Sequence, residues 1–592
     1  MKAIPEYISK SIRSVLVFLP LLIIQLAIIS CEKQYADDYG DETTNSFRGT
    51  EDQSDYTWGD SDIREIELKG SSASSSADGV TISGSAVRIT SAGTYRISGT
   101  LDDGQIIVSS ADENIIRIIL NGVSLSSSVS APLYIKSACK VMIVTADGTI
   151  NSISDNSSYS SSDDEPTAPV FSKSYLSFYG TGTLSVTGNY KDAIVSKDGL
   201  VIKSGIIKVK AVDDGIRGKD FVVIRDGSVS VECGGDAIKS DNETDSDRGY
   251  IDIESGNITI KSTGGDGISA RNIINVKGGV INLTTGGGAA ANTSNTGSGG
   301  FPGQTGSTSG TPTISKKAFK ASKSITVEKG TIIIDSYDDA FNTEGAITFN
   351  GGSVKLSSGD DGIHADASVT INGDEINIIK SYEGIESAQI MVNNGILNIN
   401  STDDGFNATK GQATESSDGS ILQITGGTVS VSTTTGDSMD SNGNATITGG
   451  TIIIQGPKSS PEVGFDINGT FNVNGGFIIG SGPNAGMMIE GPSASSSQYA
   501  VMVTVSATVS TSSLFHIQNS SGQDLVTFKP ARTQYYFVFS SSLLKNDETY
   551  SIYTGGSHTG SSVNGYYKDG LYSGGTLKKT FTLSSRVTKL SM

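Results

Sequence analysis

Apolar and polar residues alternate in short runs along most of this chain, and the runs return at a nearly fixed spacing. One unit carries Ile347 and Phe349, and shortly afterwards Val354 and Leu356. Alternation with a period of two predicts β-strands. Glycine-containing turn dipeptides separate the runs, which leaves no room for a helix in a unit. These dipeptides include Asp226-Gly227, Gly278-Gly279, Gly351-Gly352, Asn394-Gly395, Gly426-Gly427, Gly449-Gly450 and Gly475-Gly476.

A second repeat is chemical: an acidic residue, often paired, precedes Gly or Ala and then an apolar residue. With the second acid as marker, the repeat steps by 22 residues from 192 to 214, 214 to 236, 339 to 361 and 361 to 383. A constant period of this size is typical of a solenoid. The sequence therefore predicts an all-β protein, a right-handed single-stranded parallel β-helix with about 22 residues per coil, running from a marker at Ala131 to one at Ala485.

The regular marker stops near residue 495, and the remaining segments alternate like antiparallel strands. A solenoid needs a cap on its last coil. We therefore expect a small C-terminal β cap domain at 495–592, after a parallel β-helix at 76–494. Ahead of them, we expect a lipoprotein-type signal peptide at 1–30 and an acidic, disordered tether at 31–75.

The N-terminus predicts export and lipidation. Basic residues precede the apolar run Val15–Ile29, and Cys31 follows directly after Ser30, an order that resembles the bacterial lipobox. We expect cleavage before Cys31 and a lipid anchor on it in a bacterial membrane, at the cell envelope and on the outer membrane or cell surface. An ordinary signal peptide or a membrane anchor with an incidental Cys is the alternative.

The chain carries a net charge of −20 over 592 residues. Such acidity argues against nucleic acid and anionic membrane surfaces as partners. It also repels acidic polymers, unless bound cations invert the local field. We expect a monomer.

The marker acids predict a metal column. Acids stacked about 4.8 Å apart repel one another by roughly 1 kcal/mol in water and 3–4 kcal/mol at an effective dielectric near 20. Calcium would remove this cost, because it takes 6–8 oxygen ligands in flexible geometry. The alternative is ordinary, solvated Asp-Gly turn chemistry. The candidate Ca²⁺ ligands are Asp192, Asp213, Asp214, Asp236, Asp266, Asp338, Asp339, Asp360, Asp361, Glu383, Asp403 and Asp404.

One residue beyond each apolar marker position lies a second column, which we expect to point outward. Cations, amides and neighbouring tyrosines on a flat strand face suit a sugar chain, since rings cover apolar sugar faces and polar groups bond hydroxyls. An ordinary solvated sheet face is the alternative. The candidate carbohydrate-binding residues are Arg217, Lys239, Lys320, Asn342, His364, Glu386, Asn407, Tyr337 and Tyr382.

Several stretches resemble a family of secreted bacterial calcium-binding β-helix proteins that carry carbohydrate-binding domains. They are Gly93-Thr94-Tyr95-Arg96-Ile97-Ser98-Gly99, Asn121-Gly122-Val123, Ser130-Ala131-Pro132-Leu133-Tyr134-Ile135, the Asp-Asp-Gly-Ile units and Tyr572-Ser573-Gly574-Gly575. The resemblance covers about 80–580 and implies a pectate-lyase-like fold, binding to cellulose-like and acidic plant polysaccharides, and Ca²⁺ on the marker aspartates. Lys317 in a marker position is a departure that interrupts the calcium row.

These observations predict a calcium-dependent, non-catalytic polysaccharide-binding lipoprotein of the cell surface, for plant-type or acidic glycans. A pectate-lyase-like or polygalacturonase-like enzyme is the first alternative, with Arg217 or Lys239 as base, or Asp360, Asp361 and His364 as acids. A surface adhesin is the second. Repeated acids favour a periodic supporting role over one catalytic group, so we assign no catalytic residue.

Overall fold

The computed structural model describes residues 51–159, 165–293, 315–411 and 416–592. In these ranges the protein is built almost wholly of strands, as predicted, and its 3-10 helices are short. No helix of the described residues is long and apolar enough to cross a membrane. The 3-10 helices are Gln53–Tyr56, Asp60–Asp62, Ala289–Ala291 and Gly486–Met488.

Sixteen short strands form one sheet, which we call the marker sheet because most of its strands begin just after a marker position. After an antiparallel pair at its start, every neighbouring pair is parallel. The strands are Val80–Ser83, Ala86–Ile89, Gln105–Ser109, Leu133–Ser137, Val170–Ser172, Ile194–Ser196, Ile216–Gly218, Ile238–Ser240, Ile268–Ala270, Phe319–Ala321, Phe341–Thr343, Ile363–Ala365, Ile385–Ser387, Phe406–Ala408, Met439–Ser441 and Asp466–Ile467.

Two further columns of parallel strands belong to the second, larger sheet. The middle column contains Lys140–Thr145, Tyr175–Gly180, Gly199–Ile202, Phe221–Ile224, Tyr250–Ile253, Ile273–Val276, Ser324–Val327, Ala346–Phe349, Ser368–Ile371, Gln389–Val392, Ile421–Ile424, Asn444–Ile447 and Phe471–Val473. The long column contains Ile150–Asp155, Thr183–Gly188, Ile206–Ala211, Ser228–Cys233, Asn257–Ser262, Val280–Thr285, Thr331–Ser336, Ser353–Ser358, Glu375–Ser381, Ile396–Ser401, Thr428–Thr433, Thr451–Gln455 and Phe477–Gly482.

The strand register places equivalent residues of successive units opposite one another. Ile194 lies opposite Ile216 in the marker sheet, and Ile216 lies opposite Ile238. The same apolar position therefore stacks on itself from unit to unit, and these side chains are fully buried in one continuous core. Successive strands fall in the marker sheet, the middle column and the long column in turn, and each pairs in parallel with its equivalent in the next unit. This arrangement is β-helix-like. The columns place all marker acids along one edge of the marker sheet.

The N-terminal end of the stack begins earlier than predicted. Ile63–Gly70 pairs with Gly93–Leu101, which in turn pairs with Ile116–Ser127; Ala73–Ser74 is a short partner of the first strand. The prediction of a disordered tether is therefore wrong for residues 51–75. The acids that suggested disorder have partners, since Asp55 pairs with Lys140 at 2.6 Å and Glu51 with Arg225 at 2.8 Å.

The C-terminal end also differs from the predicted coil series. The last strand of the marker sheet is Asp466–Ile467, and at Ala485 the chain forms a 3-10 turn instead of another coil. Antiparallel pairing of Gln534–Ser540 with Phe477–Gly482 covers the final unit, with Ala500–Val509 and Val587–Ser591 alongside. A separate six-stranded sheet contains Phe515–Asn519, Asp524–Phe528, Thr549–His558, Ser562–Val563, Tyr566–Tyr567 and Tyr572–Thr582.

Candidate metal centre and glycan-binding face

The paired marker acids differ in burial. The second acid is buried in three of the four pairs, with Asp214 5%, Asp339 3% and Asp361 7% exposed, while Asp404 is half-buried; the unpaired markers Asp192 and Asp266 are each 3% exposed. The first acid is more accessible. Asp213 is exposed and Asp338, Asp360 and Asp403 are half-buried. A buried carboxylate needs hydrogen bonds or a counter-charge, so the partners of the second acids decide what this edge can do.

A backbone ladder occupies one oxygen of most buried markers. Oδ1 of Asp192 accepts a hydrogen bond from the backbone N–H of Asp214 at 3.2 Å. Oδ1 of Asp214 accepts from Asp236 N–H at 2.9 Å, and Oδ1 of Asp236 accepts from Asp266 N–H at 2.8 Å. Each marker thus ties its coil to the next one, which is a structural reason for the repeat that sequence reasoning missed.

The ladder continues along the sheet. The acceptors Asp266, Asp339 and Asp404 bond the N–H groups of Lys317, Asp361 and Asp437 respectively. Asp437 in turn accepts from Val463 N–H. With Oδ1 used in this way, Oδ2 of Asp214, Asp236, Asp266 and Asp339 is the oxygen left to meet a cation.

In the first half of the marker edge, protein cations meet that oxygen. The Nζ of Lys239 lies 3.1 Å from Asp214 Oδ2 and 2.9 Å from Asp236 Oδ2. Lys320 lies 3.4 Å from Asp266 Oδ2, and Arg217 pairs with Asp241. Arg217 lies opposite Lys239 in the marker sheet, and Ser269 lies between Lys239 and Lys320 in the same register. The charged ends of all three side chains contact acids. Each of these cations therefore has an acid partner within this chain.

Lys317 also neutralises acids directly. Its Nζ pairs with Asp339 and lies 3.3 Å from Asp338 Oδ1. Burial alone would lower the pKa of Lys317, but the two carboxylates outweigh it and raise the pKa. The ammonium stays charged and takes the place that a metal ion would take at Asp338 and Asp339.

Among the described residues, His364 is the last cation along this edge, and we call the part of the edge up to His364 the cationic half. Its Nδ1 lies 3.0 Å from Asp361 Oδ2 and 3.1 Å from Glu386 Oε2, and its Nε2 lies 3.2 Å from Asp366 Oδ1. Burial would lower the pKa of His364, but the hydrogen bonds to Asp361 and Glu386 raise it to about 11. The imidazole is therefore protonated at neutral pH and acts as a fixed positive charge.

The remaining predicted sugar-binding residues also touch the acids or their neighbours. Asn342 donates to Asp339 Oδ2 at 2.8 Å, and Tyr382 hydrogen-bonds Asp403, which helps burial to raise the pKa of this tyrosine. The ring of Tyr337 lies 4.5 Å beneath the Lys316 ammonium. Both tyrosine rings are half-buried, so each offers only part of a face for stacking.

Four acids that follow His364 along the edge have no cation partner among the described residues. Among the described residues, no Lys, Arg or His side chain pairs with Glu383, Asp404, Asp437 or Asp440. Burial, followed by repulsion from Glu386, raises the pKa of Glu383 to about 8. Burial and repulsion from neighbouring acids raise the pKa of Asp404 and Asp437 well above the usual range, and that of Asp440 to about 8. We call these four residues the cation-free cluster.

An orphaned amide oxygen lies beside this cluster. Nδ2 of Asn407 donates to Glu383 Oε2 at 2.9 Å, while Oδ1 of Asn407 is buried and has no hydrogen-bond partner. Asn407 lies opposite Asp440 in the marker sheet. Carboxylates with an unpartnered amide oxygen make an all-oxygen donor set of the kind that Ca²⁺ prefers.

Among the described residues, three sets of Asp, Glu and His side chains bring their ligand atoms within 4.8 Å of one another. They are Asp339, Asp361 and His364; Asp338, Asp339 and Asp360; and Asp361, Glu383 and Glu386. Lys317 and the protonated His364 compete with a metal in the first two sets. His364 also contacts Asp361 and Glu386 of the third set, which shares only Glu383 with the cation-free cluster.

Sequence reasoning missed several members of this acidic region. Repulsion from Asp466 and Glu462 contributes to the raised pKa of Asp440, and Asp437 occupies a marker position. The sequence did contain a signal for these residues. Asp440 and Asp466 occupy the same outward-column position that Lys239 and Lys320 occupy in earlier units. A change from cation to anion at one register position marks the boundary between the two halves.

We expect Lys239→Met to destabilise the protein by about 2–3 kcal/mol, because it leaves Asp214 and Asp236 without their counter-charge. Fully buried pairs cost about 3–5 kcal/mol when one partner is removed, and Lys239 is partly exposed. Urea unfolding measures the loss. The control Lys208→Met removes an exposed lysine of the long column and should change the free energy of unfolding little. Equal effects of both substitutions would refute a counter-charge role for Lys239.

Comparison with known proteins places this edge in context. One relative is a carbohydrate-binding domain-containing protein of Acetivibrio thermocellus, 39% identical over 137 residues, which are 23% of this chain and 48% of the relative. The match therefore spans about half the length of that relative. A solved structure of a polysaccharide lyase-like protein from C. thermocellum, a gadolinium derivative, is 33% identical, covering 38% of this chain and 92% of that chain with a TM-score of 0.37.

A family model matches a much larger part of the chain. It describes carbohydrate-binding domain-containing proteins and matches residues 83–362 and 360–478. The matched ranges contain the marker sheet from Ala86–Ile89 to Asp466–Ile467, with both halves of the acidic edge. On this evidence the chain belongs to the family of carbohydrate-binding domain-containing proteins.

Proposed function

We propose that this protein is a calcium-dependent, non-catalytic polysaccharide-binding protein, built as a right-handed parallel β-helix with about 22 residues per coil. Family membership supports carbohydrate binding. The observation that carries the calcium proposal is the cation-free cluster. Burial and repulsion from neighbouring acids raise the pKa of all four residues, and none of them pairs with a cation among the described residues, whereas Asp214, Asp236 and Asp339 earlier on the edge do.

The donor set fits calcium better than a softer metal. Glu383, Asp404, Asp437, Asp440 and the Asn407 amide supply only oxygen atoms, and Ca²⁺ tolerates irregular oxygen geometry. In the Lys239 and Lys317 regions a lysine ammonium already pairs with two carboxylates and offsets part of their charge, so these regions need an ion less. We therefore limit the calcium site to the part of the edge beyond His364, and the predicted ligands from Asp192 to Asp339 act as ladder acceptors and ion-pair partners instead.

The same ion would explain how an acidic protein holds a glycan. At a net charge of −20 the protein repels a uronate polymer. A calcium ion on the cation-free cluster would offset part of the local negative charge and could bridge to sugar carboxylates or hydroxyls through its remaining coordination sites. Glu386 and the Tyr382 ring flank this region and would contact the sugar. We propose plant-type or acidic glycans as the ligand class.

The described residues support an enzymatic function less well than a binding function. The pKa of Lys239 is raised by Asp236 and Asp214 despite its burial, and the pKa of His364 is about 11. Neither group can accept a proton at neutral pH, as a general base must. Arg217 is held charged by Asp241 in the same way. A purely adhesive function gives no reason for the cation-free cluster to lack counter-charges.

Affinity electrophoresis with embedded polysaccharides tests the proposal. We expect polygalacturonate to retard the protein in calcium, and EDTA to abolish the retardation. The variant Asp440→Asn should lose most of the effect, whereas Asp213→Asn, an exposed acid of the cationic half, should keep it. Release of unsaturated sugars, measured by absorbance, would support the lyase alternative. Calcium-independent retardation of every variant would refute the proposal.

We also propose that the protein is lipid-anchored at the bacterial cell envelope through Cys31, which lies outside the described residues. Mass spectrometry of protein isolated from cells should find a diacylated N-terminal Cys31. The variant Cys31→Ala should move the protein from the membrane fraction to the soluble one, with Ser30→Ala as a control that stays in the membrane. An unmodified N-terminus elsewhere in the chain would contradict the anchor.

A further inference from the structure

A polar cleft lies between the long column and the C-terminal six-stranded sheet. Its volume is about 530 Å³, within the usual range of small-ligand sites. One wall carries Asn398, Asn400 and Ser430, from strands Ile396–Ser401 and Thr428–Thr433. The opposite wall carries Thr511 and Lys529 from the C-terminal segment.

The two walls are fixed to each other by hydrogen bonds. Gln455 reaches across, donating to Asn564 O at 2.8 Å and to Lys529 O at 3.2 Å, while its Oε1 accepts from Ala531 N–H at 2.8 Å. Nδ2 of Asn564 donates to Asn398 Oδ1 at 3.1 Å. The cleft is therefore preformed, and a ligand would not need to order its walls on binding.

Several polar groups remain available inside it. The hydroxyls of Ser430 and Thr511 and the ammonium of Lys529 have no partner among the described residues. Ser430 is only 5% exposed, so its hydroxyl is held in place. Asn400 uses Nδ2 for a 3.3 Å bond to Ile378 O and keeps its amide oxygen for a ligand.

The chemistry of the lining identifies the ligand class. Amides and hydroxyls both donate and accept, which matches the hydroxyl groups of sugars. The lining contains one cation, Lys529, and no carboxylate, so it offers neither a metal site nor the several cations that a polyanion needs. We propose that this cleft is a second, calcium-independent binding site for a neutral oligosaccharide, which extends the proposed glycan-binding function.

Isothermal titration of the full-length mature protein with cellotetraose, xylotetraose and mannotetraose in EDTA tests the site. We expect at least one to bind, and Asn400→Leu and Thr511→Leu to weaken that binding at least tenfold. Both side chains are exposed, so neither change should prevent folding. The control Asn282→Leu replaces an asparagine of the same column outside the cleft and should bind like the wild type.

Two results would overturn the inference: no binding of any of the three sugars in EDTA, or equal binding by all three variants and the wild type. Polygalacturonate retention in calcium is measured on the same samples. Because that assay reports on the marker edge, either site can fail while the other survives.

Discussion

Removal of calcium should lower the melting temperature by several degrees. In the calcium-loaded protein, the ion offsets repulsion among Glu383, Asp404, Asp437 and Asp440. A ligand that binds only the folded state at about 1,000 times its Kd contributes about 4 kcal/mol. Differential scanning calorimetry in calcium and then in EDTA measures the shift.

Two comparisons make the result specific. Magnesium should restore less of the stability than calcium, because it demands near-ideal octahedral geometry and dehydrates reluctantly. The variant Asp404→Asn should show a smaller loss in EDTA, since it carries less charge to neutralise. An unchanged melting curve in EDTA would contradict a structural calcium ion.

The metal-free protein should become less stable as pH rises from about 5 to about 8.5. The folded-state pKa of Glu383 and of Asp440 is about 8, above the ordinary values of 4.5 and 3.8. Protons therefore bind the folded state more tightly, and the stability they contribute is present at low pH and lost as pH rises through the folded pKa. Each unit of such a shift corresponds to about 1.4 kcal/mol.

Calcium should reverse this trend, because it binds only deprotonated carboxylates and so gains affinity as pH rises. Urea unfolding at several pH values, with calcium or with EDTA, provides both curves. The variant Asp440→Asn should flatten the EDTA curve, whereas Asp226→Asn, a turn acid of the cationic half, should leave its slope unchanged. Parallel curves in calcium and EDTA would contradict the assignment of the cluster.

The architecture could be predicted because it depends on local periodicity. Alternating apolar residues define strands, and the constant step between Asp214 and Asp236 sets which residues stack, as Ile216 on Ile238. Neither signal needs knowledge of distant contacts. The end of the stack was harder to predict. Ala485 matches the marker pattern, but the antiparallel strand Gln534–Ser540 covers the preceding unit in place of another coil.

The partners of the acids could not be predicted, because they depend on side-chain rotamers. Lys239 occupies a strand position that points outward, yet its four-carbon chain lets the ammonium return to Asp214 and Asp236. The carboxylate ladder likewise depends on which way Oδ1 turns. Residues 51–75 were assigned to a tether because they are acidic, and only the folded chain reveals Arg225 and Lys140 beside Glu51 and Asp55.

The most direct test of the central claim is an anomalous difference map from crystals grown in calcium. The account predicts an anomalous peak among Glu383, Asn407 and Asp440, with Asn407 Oδ1 and at least two carboxylates about 2.3–2.6 Å from it. It predicts no peak beside Lys239, where the ammonium already pairs with Asp214 and Asp236. A map without a peak at the cation-free cluster, or with its strongest peak beside Lys239, would contradict the account.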